Sequence, residues 1–324
     1  YKKTNYLFEM RGLESVKVKG KTKRIKPYRV IGIKGIPKHK RGISELYSPL
    51  VGREKEFEKI KSALNKVLQG NGVVLTLIGE AGLGKSRTIE EMRKECGEKT
   101  VWLSGRSFSY GRTIPFWVIL EQIRTYLGVG EFTPEFEVIK RLKRETKRLF
   151  GDRTDEYLPY LSLFLSIKVP KNLEKKVKYL DCESLRLQEF VSVKAFFKEI
   201  AQNRPLILYF EDIHWIDPES IELLKFLLDG LSDSAVLFLF ETRPEKETGL
   251  YNIKSYIQKI YKNRYIEIRL KPLKISDANR LIHNLLRLPS FPRILLSVIL
   301  EKSEGNPFYI EEIMHSFIDV DILK

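Results

Sequence analysis

The sequence predicts an α/β fold in which a parallel five-stranded β-sheet is covered by helices on both faces. Five short, mainly apolar segments indicate the strands: 73–78, 100–104, 206–210, 235–241 and 265–270. Stretches with helical periodicity lie between them, notably 115–127, 134–149, 182–201 and 218–230. Fully apolar strands that alternate with helices are typical of a parallel sheet buried on both sides.

Shorter segments flank the predicted sheet in the sequence. Residues 1–34 alternate apolar and polar side chains around Gly20, which predicts a β-hairpin, and residues 35–48 have the Gly, Pro and basic composition of a linker. Beyond the last strand, residues 271–324 predict only helices, which we interpret as a small lid domain. The remaining segment, 49–270, is the predicted α/β domain.

The positive charge of the chain is concentrated near its start. The formal net charge is +16, and residues 1–44 contain fourteen Lys and Arg against two acidic residues. This arm shows neither a groove-reading helix nor the aromatic pattern that stacks on bases. We interpret it as a solvated hairpin and linker, do not expect a nucleic-acid partner, and keep nucleic-acid binding as the alternative.

The composition also argues against several classes of protein. No apolar run approaches the roughly 20 residues that a helix needs to cross a bilayer, and Cys96, Cys182 and the four histidines lack zinc-binding spacing. We therefore expect no membrane partner and a reducing, cytoplasmic location. Because the chain starts Tyr1-Lys2-Lys3, without an initiating Met or a signal peptide, we expect a fragment of a longer protein.

A glycine-rich loop follows the first strand of the predicted sheet. The segment GEAGLGKS fits the pattern G-x-x-x-x-G-K-[ST] and lies, as that pattern requires, between a buried strand and a helix start. Its backbone N–H groups can curl round phosphate oxygens, Lys85 can reach the β- and γ-phosphates, and the Ser86 hydroxyl is a ligand for Mg²⁺. The predicted nucleotide-binding residues are Gly79, Glu80, Ala81, Gly82, Leu83, Gly84, Lys85 and Ser86.

An acidic pair supplies further ligands for the metal. Glu211 and Asp212 follow the strand 206–210, which we expect to neighbour the strand before the loop, and so lie at the edge where α/β sheets bind ligands. We predict that both acids and Ser86 hold Mg²⁺, with Glu211 orienting the ion and Asp212 positioning the attacking water. The opposite division of roles between the two acids stays open.

A third strand of the predicted sheet also ends in polar side chains. Segment 235–241 is followed by Thr242 and Arg243, and we expect it to lie next to the strand of the acidic pair. Arg243 could then place its guanidinium near the γ-phosphate and neutralise charge in the transition state. It completes the predicted catalytic set with Lys85 and the acidic pair, although an exposed arginine before a proline is the simpler alternative.

Six segments together resemble one class of nucleotide-dependent proteins. They are PLVGREKEF, GEAGLGKS, GRSFSYGRTIPFWVILEQI, FEDIHWIDPES, ETRPE and KSEGNPFYIEEI, within about residues 46–324. In this order they resemble the STAND class (signal-transduction ATPases with numerous domains) of AAA-related P-loop NTPases. Within that class they resemble the branch attached to class III adenylate/guanylate cyclases, which implies a P-loop ATPase domain with a helical lid.

The resemblance implies contacts outside the loop. The GRE element is residues 51–54 of the segment PLVGREKEF, and the GNP element is residues 305–307 of the segment KSEGNPFYIEEI. Val51 and Gly52 of the GRE element would contact adenine, and Pro307 of the GNP element would pack on the base from the lid. Arg53 and Arg87 belong to the predicted nucleotide site as well.

The N-terminal segment extends the resemblance to the cyclase-linked proteins. Residues 1–34 look like the end of a class III cyclase domain, whose catalytic residues have no counterpart in this sequence. The chain itself should therefore not make a cyclic nucleotide.

These observations predict a regulatory switch that binds ATP or ADP with Mg²⁺. Hydrolysis should be slow, because we identify no arginine finger, and turnover without one can be ~10³- to 10⁵-fold lower. The expected partners are a cyclase domain, further C-terminal domains and a nucleotide-dependent homo-oligomer. One alternative is a non-hydrolysing scaffold or transcription-regulator module whose basic arm contacts nucleic acid. Another hypothesis is that the first segment belongs to a working cyclase in the full protein.

Overall fold

The computed structural model describes residues 8–13, 16, 26–33, 48–108, 114–244, 249–286 and 292–319. The strands in these residues are β1 Phe8–Gly12, β2 Tyr28–Ile33, β3 Val73–Ile78, β4 Val101–Arg106, β5 Leu206–Glu211, β6 Val236–Thr242 and β7 Tyr265–Arg269. The helices are α1 Glu54–Leu68, α2 Lys85–Cys96, α3 Trp117–Leu127, α4 Glu135–Phe150, α5 Thr154–Phe164, α6 Lys175–Lys178, α7 Cys182–Asn203, α8 Pro218–Gly230, α9 Gly249–Tyr261, α10 Ile275–Leu286, α11 Arg293–Ser303 and α12 Pro307–Asp319.

Strands β3 to β7 form a single parallel sheet in the order β4-β5-β6-β3-β7. The two central strands β3 and β6 are buried at every position, because helices cover the sheet on both sides. The predicted five-stranded parallel sheet is therefore confirmed, with each strand within two residues of its predicted ends.

The strand order differs from the prediction in one respect. Strand β6 lies between β3 and β5 and pairs with both, so the acidic pair does not stand on the strand next to the glycine-rich loop. That prediction was wrong, whereas the expected neighbourhood of β5 and β6 is confirmed. Local patterns do not reveal such an insertion, since a right-handed helical crossover can connect strands that are not adjacent in the sheet.

The two faces of the sheet pack against different helices. Leu206, Leu208 and Phe210 of β5 contribute to a large core with side chains of α3, α4, α5, α7 and α8. Ile207 and Tyr209, which alternate with them, belong to a second core with α1 and α2. Because strand side chains alternate in direction, Glu211 lies on the face that carries α2, the helix after the glycine-rich loop.

Besides the four-residue α6, two helices were not predicted from the sequence. Helix α5 contains Pro159 in its interior, where a proline removes a backbone hydrogen bond and normally argues against a helix. Burial against the large core stabilises it, since Leu158, Leu161 and Phe164 are all buried there. The other is α9, part of whose apolar side joins the same core through Ile253 and Ile257.

The C-terminal helices α10, α11 and α12 share a core of their own. Its buried members are Leu273, Ala278, Leu281, Ile282, Leu285, Ile299, Ile310 and Met314. The helices predicted for residues 271–324 are thus present within the described residues, and we call them the helical unit. None of the helices that the structure describes is long and apolar enough to cross a membrane.

Strands β1 and β2 pair antiparallel, with an irregularity between Glu9 and Met10. This confirms the short N-terminal β-hairpin. Its predicted turn at Gly20 lies outside the described residues, as does most of the basic arm and of the linker.

Candidate nucleotide-binding site

The loop between β3 and α2 depends on two glycines for its shape. Gly82 and Gly84 have φ angles of +84° and +87°, in the left-handed region that only glycine adopts without strain. A Cβ atom at Gly82 would also lie 2.5 Å from Oδ1 of Asn306, whereas one at Gly84 would meet nothing within 4 Å. Gly84 is therefore required for its backbone conformation, and Gly82 also allows a neighbouring segment to approach.

Lys85 lies inside the curve of the loop. Its Nζ donates to the carbonyl oxygens of Gly79 at 2.8 Å and Glu80 at 3.1 Å, and the residue is only 8% exposed. Burial lowers the pKa of Lys85, while the negative charges of Glu241 and Asp212 oppose that shift. The ammonium group thus lies at the loop, and its pKa is affected by the carboxylates at the ends of β5 and β6.

The base of the loop is fixed by neighbouring backbone. The Gly79 N donates to the Thr242 carbonyl at 3.2 Å, which ties the loop to the end of β6. At its other end, the Thr88 hydroxyl donates to the Gly84 carbonyl at 2.9 Å. Ser86, the second residue of α2, is exposed, so its hydroxyl is accessible to a ligand.

The acidic pair lies where β5 ends. Glu211 is the last residue of the strand, and Asp212 has a left-handed backbone with φ of +53°. Arg106, at the end of β4, contacts both: its Nε lies 3.5 Å from Glu211 Oε1, and its Nη2 lies 3.2 Å from Asp212 Oδ2. Burial alone would lower the pKa of Arg106, but Glu211 and Asp212 together raise it.

Arg106 was not among the predicted site residues. The predicted strand 100–104 stops two residues short of it, whereas β4 continues to Arg106 and pairs it in register with Glu211. The Arg106 backbone N also donates to Glu121 Oε2 of α3 at 2.6 Å. A basic residue close after an apolar strand, beside a second strand that ends in acids, is the signal that would have identified it.

A third carboxyl group lies behind the pair. Glu241 of β6 is 3% exposed and accepts a hydrogen bond from the Tyr209 hydroxyl of β5. The pKa of Glu241 is raised to about 7, mainly by burial; the Tyr209 hydrogen bond and Lys85 oppose the rise, and Glu211 adds to it. The group therefore experiences the charges of both the loop and the acidic pair.

Asp217, the third acid of FEDIHWIDPES, has a different environment. Its Oδ1 accepts from the Ser220 N at 2.8 Å, and the Ser220 hydroxyl donates to its Oδ2 at 2.6 Å. These bonds cap the start of α8, because an N-cap carboxylate satisfies N–H groups that have no partner within the helix. Asp217 is buried, so it serves the fold and not the site.

Arg243 stands just beyond β6 and is exposed. The Thr242 hydroxyl donates to the Arg243 carbonyl at 3.2 Å. After burial, which is the main cause, the positive charge of Arg243 also lowers the pKa of Lys85. The structure thus brings Arg243 to the same edge of the sheet as the loop, and its catalytic role stays a prediction.

The GRE element connects the loop to the helical unit. Val51 is buried, and a Cβ at Gly52 (φ +67°) would lie 2.8 Å from Asp277 Cγ of α10. Arg53 is 5% exposed, and its Nη2 donates to the Leu83 carbonyl at 3.1 Å and the Lys271 carbonyl at 2.7 Å. Adenine contacts of these residues stay a prediction.

The GNP element lies directly on the loop. Asn306 Nδ2 donates to the Ala81 carbonyl at 3.1 Å, and the Phe308 N donates to the Gly82 carbonyl at 3.3 Å. Pro307, between them, is the first residue of α12 and is half-buried. Its predicted contact with a base stays a prediction, but the sequence singled out Pro307 and overlooked the contacts of its two neighbours.

Arg87 contacts the chain before the GRE element. Its Nη2 donates to the Ser48 carbonyl at 3.0 Å and lies 3.0 Å from Glu91 Oε1. The prediction that Arg87 binds nucleotide is not supported by these contacts and stays a prediction.

A parallel sheet with a G-x-x-x-x-G-K-S loop at one strand end and an acidic pair at another defines a P-loop nucleotide-binding domain. Comparison with known protein families identifies the family of P-loop domains to which the chain belongs. The chain belongs to the AAA ATPase domain family, whose sequence profile matches residues 49–239. The AAA-related part of the resemblance is therefore confirmed, while the STAND class and the attached cyclase stay predictions.

Two curated relatives share part of their sequence with the chain. An uncharacterized protein, R02095, of Rhizobium meliloti (strain 1021) is 25% identical over 95% of this chain and 29% of its own length. The hybrid signal transduction histidine kinase G of Dictyostelium discoideum is 24% identical over 58% of this chain and 5% of its own length. The chain thus spans less than a third of either relative.

Solved structures with a similar fold include Drosophila ORC bound to DNA. That chain gives a TM-score of 0.50 at 10% identity, with 84% of this chain and 56% of that chain covered. Cdc6p from Pyrobaculum aerophilum gives a TM-score of 0.48 at 13% identity, covering 84% and 62%. At 10% identity the likeness to ORC shows the fold alone.

Proposed function

We propose that this domain binds Mg²⁺ and ATP at the loop, hydrolyses ATP slowly, and acts as a regulatory switch in a multidomain signalling protein. The observation that carries the proposal is the meeting of the loop and the acidic pair at one sheet edge, close enough for Asp212 to raise the pKa of Lys85 against the effect of burial. An edge with a phosphate-binding lysine and two carboxylates suits a nucleotide with its metal ion.

Lys85 would exchange partners when nucleotide binds. Its bonds to the Gly79 and Glu80 carbonyls are neutral-acceptor bonds, and a phosphate oxygen is a stronger acceptor because it is charged. The loop N–H groups and the start of α2 would add further donors and positive potential.

A metal ion fits the residues at the end of β5. Glu211 and Asp212 already associate with a cation, the guanidinium of Arg106, and the Ser86 hydroxyl is exposed. Ser86, Glu211 and Asp212 would hold Mg²⁺, with oxygen ligands of the type the ion prefers. The ion would supply positive charge to the phosphates of the nucleotide.

Slow turnover is consistent with the geometry of the acidic pair. Asp212, which would position the attacking water, is paired with Arg106 at 3.2 Å. Part of its capacity to accept a hydrogen bond is therefore occupied. Arg243, exposed beyond β6, would neutralise charge on the γ-phosphate.

A switching role is supported by the direct contact between the helical unit and the loop. We infer that the unit, residues 271–324, acts as a lid over ATP and opens over ADP, because its position depends on bonds to the loop. The two curated relatives are much longer than the chain, and one is named a signal transduction kinase. A cyclase domain, further C-terminal domains and a nucleotide-dependent homo-oligomer, in the cytoplasm, are the proposed partners and setting.

ATP binding to Lys85→Ala tests the proposal. The variant should bind ATP roughly 10- to 100-fold more weakly in calorimetric titration, because it loses charged hydrogen bonds to phosphate. Lys94→Ala is the matched control, since Lys94 lies on the same helix, pairs with Glu91 at 2.9 Å and is half exposed. Equal ATP affinity of Lys85→Ala and wild type would overturn the proposed function.

A further inference from the structure

Three consecutive carbonyl oxygens of the loop accept hydrogen bonds from outside it. The three pairs are Asn306 Nδ2 to Ala81 O at 3.1 Å, Phe308 N to Gly82 O at 3.3 Å, and Arg53 Nη2 to Leu83 O at 3.1 Å. The donors come from the helical unit and from the GRE element. Segments far apart in the sequence thus hold one stretch of the loop.

These bonds fix the direction of the loop N–H groups. In a trans peptide the carbonyl and the following N–H point in opposite directions, and the described residues contain no cis peptide. Holding the carbonyls of residues 81 to 83 outward therefore turns the N–H groups of residues 82 to 84 towards the other side of the loop. The Leu83 N–H makes a long bond of 3.4 Å to the Glu80 carbonyl, which a phosphate oxygen could replace.

We infer that Asn306 and Arg53 are positioning residues for the phosphate site. The helical unit and the GRE element set the orientation of three loop peptides, and through it the affinity for the β- and γ-phosphates. The inference rests on the proposed nucleotide binding and deepens it. Because coupling between two events is reciprocal, phosphate binding would in turn favour the docked helical unit.

The side chain of Asn306 has two functions that can be separated. Its Oδ1 accepts from the Phe308 N at 3.1 Å, which caps the start of α12 and orients the carboxamide. Its Nδ2 is then directed to the Ala81 carbonyl. Serine is also a good N-cap but is too short to reach the loop, so Asn306→Ser should keep the helix cap and remove the bond to the loop.

The two positioning residues are also connected to each other. Arg53 donates to the Lys271 carbonyl at 2.7 Å, where the chain enters the helical unit. The Leu273 N donates to the Gly305 carbonyl at 2.7 Å, directly before Asn306. Gly305 has a φ of +73°, and a Cβ there would collide with the Leu273 carbonyl. This short connection means that the helical unit cannot shift without affecting both bonds to the loop.

Nucleotides of different phosphate number test the inference. Adenosine, AMP, ADP and ATP are to be competed against a fluorescent ADP analogue on wild type and Asn306→Ser, with thermal unfolding as the check of folding. ADP and ATP should bind the variant roughly 3- to 10-fold more weakly, which corresponds to the loss of one oriented neutral hydrogen bond, and adenosine and AMP should bind within about twofold of wild type. Asn284→Ser is the control, because Asn284 Nδ2 donates to Ser48 Oγ at 3.2 Å, away from the loop.

The outcomes separate this inference from the proposed function. If wild type binds neither ADP nor ATP, the proposed function fails. If wild type binds them and Lys85→Ala does not, but Asn306→Ser weakens all four ligands equally or none, the inference is overturned. Should Asn306→Ser unfold, Arg53→Lys takes its place and must show the same dependence on phosphate number, since lysine keeps the charge but lacks the guanidinium that serves two carbonyls.

Discussion

The loop and the acidic pair lie at the same edge of the sheet but are held by different forces. The loop is held through its carbonyls by the neutral side chain of Asn306, the backbone N–H group of Phe308 and the buried Arg53. The acidic pair is held by Arg106, whose side chain is 32% exposed, in two ion pairs. Ion pairs that solvent reaches are screened by salt, whereas hydrogen bonds between uncharged groups depend little on ionic strength.

The loop and the acidic pair should therefore respond to different changes in the protein and in the solution. The geometry of the loop should depend on the packing of the helical unit and little on ionic strength. The acidic pair should respond to any cation that competes with Arg106. Glu241, buried between β5 and the loop, is affected by both. Substitutions can therefore be chosen that act on the loop or on the acidic pair and leave the other intact.

The largest effect is expected on turnover, at the acidic pair. Asp212→Asn should slow ATP hydrolysis roughly 10²- to 10⁴-fold, the usual contribution of a group that positions or activates the nucleophile. ATP affinity should stay within about twofold of wild type, since the loop is unchanged. Asparagine is the suitable substitution because it tolerates the left-handed backbone of this position, φ +53°. Phosphate release in single turnover and calorimetric titration give the two values.

Glu211→Gln is the companion variant. It should weaken the Mg²⁺-dependent part of ATP binding, because Glu211 is assigned to the metal side of the pair. If Glu211→Gln abolishes turnover with normal Mg²⁺ dependence, and Asp212→Asn lowers Mg²⁺ affinity, the two roles must be exchanged.

A smaller effect is expected on stability, from Glu241, the carboxyl group between the loop and the acidic pair. Burial raises the folded-state pKa of Glu241 to about 7 from 4.5, so the folded state binds its proton more tightly than the unfolded chain. The free energy of unfolding should then fall as pH rises from about 4.5 to 7, by roughly 1 to 3 kcal/mol. Glu241→Gln should remove this decline, measured by urea unfolding at several pH values.

The control for that series is Glu131→Gln, which removes an exposed carboxyl group in the loop before α4. It should reproduce the pH dependence of wild type. A Glu241→Gln curve parallel to wild type from pH 4.5 to 7 would show that Glu241 keeps an ordinary pKa, and that the loop and the acidic pair are not linked through it.

Much of the fold followed from the sequence because the relevant signals are local. Short apolar segments rich in β-branched residues, such as 73–78, favour buried strands, and the glycine and lysine spacing of residues 79–86 indicates the loop. The position of β6 between β3 and β5 is a tertiary choice among topologies that share these patterns. It could not be predicted from any one segment.

The site was predicted less completely for the same reason. Arg106 acquires its role from the register of β4 against β5, and Asn306 from a contact with a loop more than 200 residues earlier. Helix α5 contains Pro159, which contradicts its local propensity and is offset by burial. Residues that act by touching another segment carry no pattern of their own.

The smallest effect is expected from removing the cation that competes for the acidic pair. Arg106→Gln deletes a positive charge 3.2 to 3.5 Å from the two carboxylates, so Mg²⁺ should bind more tightly in the presence of ATP, by roughly 3- to 10-fold, an effect that salt will reduce. Titrating Mg²⁺ at fixed ATP in low and high salt measures this change. Arg144→Gln, which removes an exposed arginine of α4 paired only with Glu145 among the ion pairs described, should leave Mg²⁺ affinity unaltered. Weaker Mg²⁺ binding by Arg106→Gln would mean that Arg106 orients the carboxylates for the metal, and the acidic pair would then be preorganised, as the loop is.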